Sequence, residues 1–252
     1  MSFFKNLSTD GLEKQEDRIG GGGGGLWDTG VYDGRVKMAY AGSYKSGAQF
    51  IAVILAVGSR EYRQQILITN AKGENFYVKD GKKIPLMGFS MIDSLCMLTT
   101  EEPLAGQDVE EKIISIYDFD QKKEVPTAMP VLVGLLDKPI TFAIEKQLVN
   151  KQEKDNSGNY VDTAEEVEKN ELQKFYHTET KLTITEAEQG LEAGVFYHKW
   201  IEANTDENGV GKVRDRRNKK GGHAATSGKP PAPGTAPSAS GAPKKSLFGK
   251  KA

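Results

Sequence analysis

Eight consecutive apolar residues, FIAVILAV over 50–57, narrow what this chain can fold into. The run is rich in β-branched residues and far short of the roughly 18 apolar residues a membrane span takes. It predicts a central strand covered on both faces. Gly58 and Ser59 supply a turn, and REYRQQILITN follows, so two long strands should form a hairpin. Upstream, Val36, Met38 and Tyr40 alternate with Lys37 and Ala39, the pattern of a strand with one buried face. NFYV (75–78) predicts a short strand before a turn at Asp80 and Gly81.

The period then changes. Phe89, Ile92, Leu95 and Cys96 recur at helical spacing, and strand patterns resume in KIISIYDF (112–119) and ITFAIEKQLV (140–149). Thr163 stands three positions before Glu166 with acids around it, which predicts a helix start. KLTITE (181–186) reads as a further strand, and Leu191, Val195 and 196–201 as a closing helix. A helix placed between the third strand and the next is the order of an OB-fold. The expected fold is therefore mainly β: an OB-fold-like five-stranded barrel with added helices and a disordered C-terminal tail.

Three regions follow from composition. Residues 1–26 form an arm that ends in the six-glycine run Gly20–Gly25, read as a flexible linker because no strand and helix flank it as a phosphate loop requires. Residues 27–203 hold the patterned body. Residues 204–252 are dominated by Gly, Pro, Ala, Ser and Lys, a composition that cannot bury enough apolar surface to offset its ordering entropy. Charge is divided the same way. The formal net charge is −1, yet 1–209 hold 23 basic and 34 acidic residues, whereas 210–252 hold 11 basic residues and one acid.

Several classes lose support. One cysteine, Cys96, can neither form an internal disulfide nor build a thiolate cluster, and in the helical stripe it reads as a small buried hydrophobe. The first 20 residues carry acids and no apolar stretch of signal-peptide length, so a soluble, cytoplasmic protein is expected. His177, His198 and His223 are far apart, without metal-ligand or triad spacing. Asp118 and Asp120 alternate on a strand, but two carboxylates alone make a weak metal site. No enzyme class, cofactor or metal is expected.

A binding surface fits better. Between Val31 and Phe89 lie eight of the 21 aromatic residues, and the window to Leu95 holds nine basic residues against five acids. Single-strand binding needs both ingredients: cations that replace condensed counterions, and flat rings on which bases stack. The candidate stacking residues are Tyr32, Tyr40, Tyr44, Tyr62, Phe76 and Tyr77. Candidate phosphate contacts are Arg35, Lys37, Lys45, Arg60, Arg63, Lys72 and Lys79. In a barrel, about half of such strand residues point into the core.

The opening MSFFKNLSTDGLEK with its glycine-rich arm, LWDTGVYDGRVKMAYAG, REYRQQILITNAKGENFYV, VNKQEKDNSGNYVDTAEE and the ending APKKSLFGKKA together resemble a bacteriophage single-stranded DNA-binding protein of the replication type. The likeness is one of overall pattern over most of the chain. It implies an OB-fold core that coats single-stranded DNA without strong sequence preference during replication, recombination and repair, in the host cell cytoplasm. It further implies a tail that regulates DNA access and contacts the phage DNA polymerase or other replication proteins. Apart from the resemblance, a homo-oligomer is a candidate assembly that the residues do not fix. One departure stands out: such tails are commonly acidic, whereas Phe248 here lies among Lys244, Lys245, Lys250 and Lys251. A basic tail cannot compete with DNA for a basic groove. It could add phosphate contacts, dock Phe248 on an acidic partner, or fold back on the acidic body. The alternative reading is a phage structural or assembly protein with a β-rich body.

Overall fold

The apolar run lies in β2 (Gln49–Val57), paired antiparallel on one edge with β1 (Gly30–Ser43) and on the other with β3 (Arg60–Leu67). The computed structural model describes residues 25–218, apart from 119, 120, 157 and 159. Because successive side chains of a strand point to opposite faces, β2 serves two apolar clusters. Ile51, Val53 and Leu55 belong to the larger, inner one, and Phe50 and Ala52 to a smaller, outer one. The inner cluster is covered by α1 (Met87–Thr100) through Ile92, Leu95, Cys96 and Leu98, as the helical spacing predicts. Burial pushes the Cys96 thiol up to about 12, so it stays a neutral packing group.

β8 (Pro139–Lys154) pairs with the first half of β1, from Gly30 opposite Ile144 to Arg35 opposite Pro139, and β9 (Tyr160–Tyr176) pairs along the length of β8. The path β3-β2-β1-β8-β9 curls until its two ends meet across Gln64 and Trp27. Gln64 accepts from the Leu172 N–H at 3.0 Å and donates to Glu171 at 3.0 Å. Trp27, 3% exposed, exchanges two 2.7 Å hydrogen bonds with the Asn170 side chain. Among the described residues no backbone ladder joins β3 to β9. The sheet is thus mainly β as expected but not a closed barrel, because side chains rather than main chain occupy the seam.

Three further strands extend the sheet and one pair stands apart. β6 (Val109–Asp118) and β7 (Lys123–Leu132) form a hairpin joined to β1 where Val131 faces Tyr40. Its inner residues Ile114, Ile116 and Met129 pack on the outer cluster. β4 (Phe76–Lys79) and β5 (Lys82–Pro85) make a separate two-stranded hairpin. α2 (Ile184–Glu188) and α3 (Val195–Asn204) follow β9, the latter where a closing helix was expected, and β10 (Arg214–Asp215) lies parallel to β8. No helix among the described residues is long and apolar enough to cross a membrane.

Four expectations are corrected. Val36 does not share a face with Met38 and Tyr40: the register shifts between Val36 and Met38, and the extra residue, Lys37, sends Val36 to the inner cluster and Met38 and Tyr40 to the outer one. The helix start at Thr163 is part of strand β9. There the ladder with β8 and the ion pairs Lys146–Glu168 and Lys151–Glu165 outweigh a local capping signal. KLTITE is not a strand, since Thr183 caps α2 in a reciprocal capping box with Glu186. The first part of the tail expected to be disordered, 204–218, is structured: Asp206 anchors a turn, Thr205 bridges Gly211, and Arg214 opens β10, while 219–252 lie outside the described residues.

Glu186 ties α2 to α3. Its carboxylate accepts from Thr183 N and Oγ1 at 3.0 Å and from Phe196 N at 2.6 Å. Burial opposes its charge, but these donors prevail and hold it below the usual carboxylate range. Glu186→Ala strands the donors and should cost about 1–3 kcal/mol, measured by urea unfolding. Because the folded value is the lower one, this stabilisation is complete above the ordinary carboxylate range and is lost as pH falls through the folded value. The stability gap between wild type and variant should therefore close in acid.

Candidate nucleic-acid interface

The outer face of β1, β2 and β3 is read directly from the register. Directly paired residues share a face, so four rows cross the sheet: Arg35–Ala56–Glu61, Met38–Ile54–Arg63, Tyr40–Ala52–Gln65 and Gly42–Phe50–Leu67. Lys37, the bulged residue between the first two rows, reaches over β2 to pair with Glu61 on β3. Arg63 donates to the second Glu61 oxygen at 2.9 Å. These two donors hold the Glu61 carboxyl below its ordinary range. Arg35 lies beside Asp137 at 3.4 Å, both side chains well exposed.

The other end of the face is aromatic. Gly42 leaves room there for the Phe50 ring, which lies across that position: a Cβ would stand 2.3 Å from it and displace it. Tyr44 packs on Phe50 with ring centroids 4.8 Å apart, donates its hydroxyl to Gln65 Oε1 at 3.1 Å, and remains 42% exposed. Tyr40 is deeper, only 9% exposed, and burial raises its phenol, with Arg63 nearby acting in the opposite direction. Lys45 follows in the exposed turn between β1 and β2. The β6–β7 hairpin walls this face through Ile114, Ile116 and Met129.

The fold therefore brings Arg35, Lys37, Tyr40, Tyr44 and Arg63 onto one face, with Lys45 at its end. It sends three other candidates elsewhere. Tyr62 is a core residue, 5% exposed with its ring 6.4 Å from Trp27, and burial raises its phenol, so it offers no stacking platform. Tyr32 lies half-buried against Trp27 at 4.8 Å and donates to the Asp28 carbonyl. Arg60 sits 4.2 Å over the Trp27 ring. All three gather around the seam, on the side of the sheet away from the aromatic face.

Lys72, Phe76, Tyr77 and Lys79 form a second group on and before the β4–β5 hairpin, where Lys83 Nζ stands 4.4 Å over the Phe76 ring. The segment leading to Lys72 adjoins the Lys45 turn, since Ile68 donates to the Gln49 carbonyl and Gly47 lies beside the Ala71 carbonyl. Sequence reasoning missed Gln65, Glu61 and the walling residues of β7. Alternation of Val125, Thr127, Met129 and Val131 was a usable signal for the last of these.

The described part of the basic tail folds back on acids of the body. Arg214 and Arg216 reach the buried Glu145 at 3.3 and 3.4 Å, Arg217 pairs with Glu166, and Asn218 donates to Asp162 at 2.7 Å. Phe248 and its lysines, residues 1–24 and Asp120 lie outside the described residues, and Asp118 ends β6. Among the described residues no three His, Cys, Asp or Glu side chains are grouped to hold a metal ion. No family model matches the chain, and no curated protein matches it with significance.

Proposed function

We propose that this protein binds single-stranded DNA without strong sequence preference and performs no catalysis, coating DNA in phage replication, recombination and repair. The observation that carries the reading is the outer face of β1, β2 and β3, where Lys37 and Arg63 share a face with the exposed ring of Tyr44, which rests on the buried Phe50. Cations beside stackable rings are the pairing that single strands require. The path β3-β2-β1-β8-β9 with α1 after β3 also agrees with an OB-like arrangement. In that fold the second and third strands and the first turn form the oligonucleotide surface. The tail beyond 218 is assigned to replication partners on the strength of the resemblance alone.

Titration of a labelled oligo-dT at low and moderate salt tests this. Saturable binding that weakens as salt rises is expected, and absence of binding at low salt overturns the reading. A structural or assembly role is favoured by one other observation: Val109, Ile113 and Tyr117 on one face of β6 are 54%, 77% and 48% exposed. Co-purification with virions, without oligonucleotide binding, would select it.

A further inference from the structure

Glu61 is paired with two of the three strand cations of the outer face, Lys37 and Arg63, and the function proposed above gives it no task. Its two oxygens are divided between them: one accepts from Lys37 Nζ, and the other from Arg63 Nη2 at 2.9 Å. All three side chains keep solvent access, Lys37 at 51%, Arg63 at 60% and Glu61 at 26%. Geometry accounts for the trio. Ala56 between β1 and β3 is too small to separate them, and the bulge lets Lys37 lean across it. Two cations bracketing a pair of anionic oxygens is also the arrangement they would adopt around a backbone phosphate.

We propose that Glu61 is an internal stand-in for a DNA phosphate, holding Lys37 and Arg63 in phosphate-binding geometry while the surface is empty and yielding them when a strand binds. This rests on the single-strand reading. An approaching phosphate meets two cations and one carboxylate, and must displace the carboxylate to gain both cations. The depressed Glu61 carboxyl is consistent with that competition, since the cations favour its charged form. The device limits affinity, and so keeps the coat exchangeable. It also discriminates against lone anions, which meet an occupied site without the compensation of stacked bases.

Glu61→Gln keeps the shape and removes the competitor. Compared with wild type, it should bind oligo-dT more tightly, and its plot of log affinity against log salt should be steeper by about 0.7, the value for one further phosphate on a single strand. Over a tenfold fall in salt that slope multiplies the advantage by about five. Combining it with Lys37→Gln should shrink the gain, because the two act as a coupled pair. Equal or weaker binding by Glu61→Gln, with wild type still binding, overturns this inference and leaves the function standing. Wild type that fails to bind at low salt overturns both.

Discussion

Tyr44→Ala should weaken oligo-dT binding by about 5- to 150-fold, the range that corresponds to losing one base–aromatic stack worth about 1–3 kcal/mol. Among the tyrosines of the outer face, Tyr44 is the one with a substantially exposed ring, and Phe50 against Gly42 fixes its angle. The hydroxyl only tethers the ring to Gln65. Tyr44→Phe should therefore keep most of the affinity, which separates stacking from hydrogen bonding. Since the side chain lies outside both buried clusters, thermal unfolding of the alanine variant should stay near wild type. Unchanged binding by Tyr44→Ala would place the DNA surface elsewhere, with the Phe76 and Tyr77 hairpin next to be tested.

Trp27→Ala is expected to be the most damaging single change to the fold. Its ring is packed against Tyr32, Tyr62 and Phe142 and covered by Arg60, at the place where β3 and β9 approach without pairing. Truncating a buried tryptophan costs about 3–5 kcal/mol, which for a body of this size lowers the melting temperature by about 6–20 °C. Trp27→Phe should fall between, since it keeps part of the ring but less of the seam filled. A melting temperature within a degree or two of wild type for Trp27→Ala would show that Gln64 and Asn170 close the seam without it.

The contrast between these residues shows what was legible beforehand. The β2–β3 hairpin and α1 were readable because their apolar periods are uninterrupted and local. β7 was hidden by Pro126 and Pro130, which break a strand signal even though both face outward beside β6. β9 was hidden by acids that mimic a helix start, and only the lysines of β8 opposite them reveal their purpose. For the site, residue types were informative and faces were not. Tyr40 and Tyr62 look alike in sequence, yet register places one in the outer cluster and the other in the inner one, and the bulge at Lys37 reverses the parity that simple alternation assigns. Glu61 escaped notice because an acid in a basic window reads as dilution of charge, whereas its position between two cations gives it a role.

Lys37 is supernumerary to the ladder. Val36 faces Leu55 and Met38 faces Ile54, so the strand on either side of it would keep its faces if the position were absent. The packing that defines this domain and the cation that equips its outer sheet are thereby under separate control. Selection could add, remove or exchange a charge at this one point and retune the surface, while leaving every buried contact of β1 as it was.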